Sequence, residues 1–145
     1  MINRETDYAV RTVLCLAKRE STDGGASIST ADLAGQIGVP YRFLRKIVFK
    51  LATCGVLQSR RGKGGGLALA RAPKDISLFD LLCIMEPDAV ILNQCMSSDV
   101  PACSRKEYCG LHGVLGRIQD GLHGQLASVT VTDMVATELG AMPVG

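Results

Sequence analysis

Gly55-Val-Leu-Gln-Ser-Arg-Arg-Gly-Lys-Gly-Gly-Gly-Leu-Ala-Leu-Ala-Arg-Ala-Pro73 is the stretch on which the fold turns. Two strand-like runs, Val56–Ser59 and Gly66–Ala70, flank Arg60-Arg-Gly-Lys-Gly-Gly65, a pattern that predicts a hairpin with a basic, glycine-rich tip. Glycine lets the backbone approach a phosphate closely or lie in a minor groove, and Gly64 sits at that tip while Arg60, Arg61 and Lys63 supply charge. A cradle for nucleotide phosphates is the competing reading. Its spacing matches neither the P-loop nor the dinucleotide fingerprint, and no helix starts directly after it.

Working outward, the residues before the hairpin read as helices. From Asp7 to Lys18, apolar residues at Ala9, Val10, Val13, Leu14 and Ala17 follow helical spacing. Thr22-Asp-Gly-Gly is a turn, and Ser27-Ile-Ser can pair as a short strand. Ser29 or Thr30 caps a helix from Ala31 to Ile37, which Gly38-Val-Pro40 breaks, with Pro40 suited to the first turn of the next helix. That helix, Tyr41 to about Thr53, presents Phe43, Leu44, Ile47, Val48 and Leu51 to a core and ends at Cys54-Gly55. Two short helices joined by a tight glycine-containing turn and followed by a hairpin make a winged helix-turn-helix.

The formal net charge of +2 conceals a segregation. Between Tyr41 and Lys74 lie nine basic residues and no acidic one, leaving all 14 acidic residues elsewhere. A block of one sign inside a folded segment points to a polyanion, because phosphates repay clustered positive charge through counterion release. Arg42, Arg45 and Lys46 recur at three- and four-residue spacing opposite the apolar stripe, so they reach base edges or phosphates together, with Lys50 one turn on. Arginine bidentate to guanine is the commonest specific contact, which selects Arg42 and Arg45 for sequence reading.

Of six cysteines, Cys95, Cys103 and Cys109 share one short polar stretch, with His112 three residues beyond the last. Thiolate and imidazole are ligands for iron–sulfur clusters and zinc, so this stretch predicts a metal or redox centre. Cys15, Cys54 and Cys83 stand among apolar residues, where cysteine is usually a small buried hydrophobe, and His123 reads as a surface residue. At 145 residues the chain is one domain or a small domain with an added arm, and 47% apolar content without tryptophan makes a thin core that a dimer can share. The charged start and the lack of a membrane-length apolar run lead to an expected cytoplasmic location, without membrane partners, where cysteines stay as thiols or ligands.

The hairpin stretch, together with Asp7-Tyr-Ala-Val-Arg11, Ile76-Ser-Leu-Phe-Asp-Leu-Leu82, Val129-Thr-Val-Thr-Asp-Met-Val135 and the cysteine loop, resembles the Rrf-type bacterial winged-helix transcription regulators over nearly the whole chain. That family has IscR-, NsrR- and RirA-like iron–sulfur branches. The resemblance implies a homodimer that binds a double-stranded DNA operator, with Cys95, Cys103 and Cys109 holding a [2Fe–2S] or [4Fe–4S] cluster that responds to redox, nitric oxide or iron status. It offers two fourth ligands: His112, or Asp7 from the partner chain. His112 lies three residues after Cys109 at a helix start, so both side chains can face one side; the plain reading of Asp7 is an acid favoured by the helix dipole. Two departures mark the chain: seven residues separate Cys95 from Cys103 where the best-known members have five, and basic Arg45 replaces an acidic residue of the recognition helix.

Beyond the loop, Leu111, Val114, Leu115, Ile118, Leu122, Leu126 and Val129 fall on one stripe of a long helix, with Gly113, Gly116, Gly121 and Gly124 opposite. The stripe predicts a dimer interface, and intrachain core is the alternative. The expected organisation is therefore mainly α with a small β-hairpin wing: a winged helix-turn-helix over residues 1–85, a cluster loop over 86–110, and a dimerisation helix with C-terminal segment over 111–145. No nucleophile–base set or paired acids stand outside the cysteine loop, which argues against an enzyme. A cluster-free or zinc-bound thiol sensor of the same fold is the alternative function.

Overall fold

The computed structural model describes residues 2–98 and 101–140, so Asp99 and Val100 of the expected loop and residues 141–145 of the expected C-terminal segment lie outside the described residues. Helix α1 (Arg4–Thr22) is longer than apolar periodicity predicts. The Asn3 side chain accepts from the Thr6 N–H at 2.9 Å, and Glu5 and Asp7 sit in the first turn, where the helix dipole favours negative charge. Gly24 and Gly25 follow its end with φ of 64° and 79°, values L side chains rarely adopt.

Helices α2 (Thr30–Ile37) and α3 (Tyr41–Thr53) form the expected pair. Ser29 caps α2 by accepting from the Asp32 N–H, and Gly38 closes it in the left-handed conformation. Pro40 stands at the N-cap of α3 rather than in its first turn. Leu44, Ile47 and Leu51 are buried, and Phe43 and Val48 pack at the margin. Cys54 caps the C-terminus of α3 and is exposed, which corrects its reading as a buried hydrophobe: at a helix end its side chain leaves the apolar stripe.

Strands β1 (Leu57–Arg60) and β2 (Gly66–Leu69) pair antiparallel, Leu57 opposite Leu69 and Arg60 opposite Gly66. Ile28 adds a separate antiparallel bridge to Leu67 of β2, through N–H to carbonyl bonds of 3.2 and 2.7 Å in the two directions. A Cβ at Gly66 would lie 2.5 Å from the Ile28 carbonyl oxygen, so the hairpin root admits only glycine there.

Helix α4 (Leu78–Met85) opens with a capping box, Ser77 and Asp80 satisfying each other's backbone N–H groups. Helix α5 (Gly110–Ser128) is followed by α6 (Val131–Gly140), which returns to the core. Leu78 donates to the Val129 carbonyl and Val131 to the Ile76 carbonyl, both at 2.8 Å, and Val131 is fully buried in the same cluster as Val13, Leu44 and Leu81. In contrast, α5 buries none of its residues, although Leu115, Leu122 and Leu126 are half-covered.

Candidate nucleic-acid interface and metal-binding loop

The outer face of α3 carries the basic residues the sequence singled out. Arg42, Arg45, Lys46 and Lys50 are exposed and line a groove of about 660 Å³ together with Tyr41 and Phe49. The Arg42 guanidinium lies 4.8 Å from the centroid of Phe43 and that of Arg45 lies 6.0 Å from Tyr41, so two aromatic faces help to position the arginines. Lys50 pairs with Glu5 at 3.4 Å. Phe49 was not anticipated: a reading of this face by charge passes over it.

At the hairpin tip, Arg60, Arg61, Lys63 and Gly64 are all exposed. The Gly65 N–H donates to the Gly62 carbonyl at 2.8 Å, the Ser27 hydroxyl donates to the Gly64 carbonyl, and Gly62 and Gly64 have φ of 96° and 81°. A Cβ at Gly65 would sit 2.3 Å from the Arg60 carbonyl oxygen. The tip is thus a narrow backbone turn that holds three cations outward.

In the cysteine loop, Cys95 lies in a single 3-10 turn (Gln94–Met96), Cys103 is exposed, and Cys109 is the half-buried N-cap of α5. Free N–H groups at a helix N-terminus favour anionic groups nearby. The Cys95 Sγ and His112 Nδ1 are 3.4 Å apart, joining the start of the loop to the first turn of α5. Among the described residues, no three His, Cys, Asp or Glu side chains gather as a metal site, so the structure unites Cys95 with His112 but not with Cys103 and Cys109. Asp7 stands on α1 as an ion pair with Arg11 at 2.9 Å.

The seating of the loop on α5 departs from expectation. His112, Gly116, Gln119 and His123 form the inward row of the helix, about a quarter turn from the apolar stripe. Gln119 accepts from the Leu92 N–H at 3.0 Å, His123 Nε2–H donates to the Val90 carbonyl at 2.8 Å, and Gly116 leaves room for Met96. His123 also packs its ring on Phe79, centroids 4.9 Å apart, which corrects its reading as a surface residue. Its signal in the sequence was only its register with His112 and Gln119. The apolar stripe is left outward, with Leu111 60%, Val114 45% and Ile118 54% exposed.

Of the remaining thiols, Cys15 and Cys83 are less available than the exposed Cys54. Burial raises the pKa of Cys15, whose S–H donates to Gln36 at 3.6 Å, and of Cys83. Among the described residues, no helix is long and apolar enough to cross a membrane.

Known proteins align with this arrangement along nearly its whole length. The Rrf2 family, described as an iron-dependent transcriptional regulator, matches residues 2–137. The HTH-type transcriptional repressor NsrR of Streptomyces coelicolor is 32% identical over 144 residues, 99% of this chain and 94% of its own. The NsrR regulator of Bacillus subtilis is 27% identical over 130 residues, 90% of this chain and 86% of its own. Among solved structures, T. potens IscR superposes with a TM-score of 0.72 at 23% identity, covering 100% of this chain and 93% of that one. CymR, the global cysteine regulator of B. subtilis, also gives 0.72 at 23% identity, covering 94% and 97%. At that identity the two structures establish the winged-helix fold.

Proposed function

This chain belongs to the Rrf2 family of transcriptional regulators, and from that premise we propose that it is an iron–sulfur-cluster-dependent regulator that binds a DNA operator as a homodimer. Cys95, Cys103, Cys109 and His112 are its cluster ligands, and redox, nitric oxide or iron and cluster status is its signal. Arg42, Arg45, Lys46 and Lys50 of α3 enter the major groove, while Arg60, Arg61, Lys63 and Gly64 follow the backbone or minor groove. The single observation that carries the cluster reading is the 3.4 Å separation of Cys95 Sγ and His112 Nδ1. Two tetrahedral ligands at about 2.3 Å (sulfur) and about 2.0 Å (nitrogen) from one metal are about 3.5 Å apart. That distance fits His112 as the fourth ligand where it shares one iron with Cys95, as in a [2Fe–2S] cluster. Asp7 competes from a second copy, and its pair with Arg11 does not decide the matter: such half-exposed i,i+4 pairs are worth only about 0.3–0.5 kcal/mol.

When bound, the cluster supplies a group whose charge and integrity follow oxidants and nitric oxide. The chain's own part is mechanical. Val90, Leu92 and Cys95 contact one row of α5, so a change in the loop acts on the helix that presents Leu111, Val114 and Ile118. If that face joins two copies, the spacing of the two α3 helices follows the state of the loop, and DNA affinity reports it by linkage.

A second reading, a thiol sensor without a cluster, draws on the same contact. A 3.4 Å approach is also an ordinary thiol–imidazole hydrogen bond, and exposed Cys103 is open to oxidants. Native mass spectrometry after anaerobic purification separates cluster, zinc and bare-thiol masses. The cluster reading expects the first, with visible absorbance lost in Cys95→Ala, Cys103→Ala and Cys109→Ala. Cysteine variants that bind an operator as the parent does under every redox condition would refute the coupling.

A further inference from the structure

On the major-groove face of α3, the structure assigns Phe49 a reading role: we propose that its ring packs on thymine 5-methyl groups at the floor of the groove. The assignment rests on the DNA-binding reading above and extends it to an apolar contact. At about 100° per residue, the buried line through Leu44, Ile47 and Leu51 has its opposite along Arg42 and Phe49, seven residues or about two turns apart. Arg45 and Lys46 flank that crest on either side. A crest residue of a helix in the groove faces the base edges, and the longer flanking side chains reach either base edges or phosphates.

Phe49 is 72% exposed, second only to Tyr108 among the large hydrophobic side chains of the described residues. Single exposed apolar residues are commonplace; the surroundings of this one are not. Arg42, Arg45, Lys46 and Lys50 ring it, and no acidic residue occurs between Tyr41 and Lys74. An apolar protein surface covering Phe49 would strip water from Arg42, Arg45 and Lys46 without compensation, Lys50 alone having Glu5, while DNA neutralises them as it covers the ring. On the floor of the major groove the apolar group available is the thymine methyl. Arg42 lies on the same crest line about 10 Å away, so the methyl contact falls within roughly three base-pair steps of the base Arg42 reads.

The test begins with selection of preferred duplexes from a random library by the anaerobically purified protein. The enriched duplex is then resynthesised with uracil replacing thymine one position at a time, which removes only the 5-methyl group. The parent should lose about fourfold in affinity per contacted methyl, the equivalent of one buried methyl group. Phe49→Ala should bind the thymine and uracil duplexes equally, with Phe49→Leu in between; circular dichroism should be unchanged, since the ring lies outside the core. Equal affinity of the parent for both duplexes overturns the assignment, as does discrimination that survives in Phe49→Ala. If no sequence is enriched at all, the regulator reading itself fails and takes this one with it, an outcome distinct from enrichment with no methyl dependence.

Discussion

Replacement of Ile118 by alanine tests whether the outward stripe of α5 is an interface. Ile118 is 54% exposed on a helix that buries no residue within the chain. Full burial of an isoleucine side chain is worth about 2 kcal/mol, so roughly half of that remains to be gained, about 1 kcal/mol per protomer. A twofold interface uses each residue twice. Ile118→Ala should therefore cost the dimer about 2 kcal/mol, or about thirtyfold in its dissociation constant. Sedimentation velocity across a dilution series measures that constant directly. The unfolding free energy of the diluted monomer should fall by no more than about 1 kcal/mol, the share of the side chain already covered within the chain. Gly124→Ala serves as the control: nothing lies within 4 Å of the added methyl, and removing a helical glycine should stabilise α5 by up to about 1 kcal/mol without touching the constant. A change of less than threefold for Ile118→Ala, or a monomer destabilised by more than about 1 kcal/mol, refutes the assignment of this face to a second copy.

Three further outcomes follow from individual contacts. His123→Phe keeps a ring against Phe79 but leaves the Val90 carbonyl without its donor, so amides from Val90 to Cys95 should exchange faster and stability fall by about 1 kcal/mol; unchanged exchange there would show that the row does not seat the loop. Glu86 is held below the usual glutamate range by the Thr6 hydroxyl and the Asn3 N–H that donate to it. A depressed carboxyl stabilises the fold above its unfolded pKa, near 4.3, and that contribution disappears as pH falls through the lower folded value. Glu86→Gln should accordingly flatten the acid limb of stability below about pH 5, and an unchanged limb in denaturant titrations contradicts it. Gly66→Ala drives a Cβ to 2.5 Å from the Ile28 carbonyl oxygen and should displace the hairpin, lowering DNA affinity while far-ultraviolet dichroism retains its helical signal; full affinity would mean the tip is not used.

The elements legible in the sequence were those whose physics is local. Glycine and arginine at the hairpin tip, Gly38 and Gly55 after helices, and Ser29 before α2 act through their own backbone or one turn away. The extra turn of α1 was missed because apolar periodicity begins only at Ala9, while Asn3 caps by a single polar contact. The inward row of α5 was missed for a deeper reason. Hydropathy sends polar residues to solvent, yet His112, Gln119 and His123 face inward because an irregular loop offers them a thiol, an amide and a carbonyl. No periodicity in the loop announces those partners. The donor set of the candidate metal centre was readable from residue type, but its assembly was not, since Cys103 and Cys109 share no described cluster with Cys95.

The first turn of α1 has a part in both halves of the proposed switch. Glu86, where the loop departs from α4, accepts from Asn3 N–H at 2.9 Å and from the Thr6 hydroxyl, and Lys50 of α3 pairs with Glu5. The two ties differ in strength. The Glu86 tie has two donors, one of them the buried Thr6, whereas an exposed lysine–glutamate pair contributes at most about 1 kcal/mol and weakens with salt. The start of α1 is therefore bound more firmly to the loop than to α3. Further along, Ala9, Val13 and Ala17 are locked into the core, so α1 cannot slide freely when the loop moves. In the proposed switch, a disturbance at Glu86 would reach α3 by tilting the capped end of α1 over that fixed segment, with Lys50–Glu5 as the contact that yields. Coupling by this route should fade at high salt, while coupling through the uncharged stripe of α5 should persist.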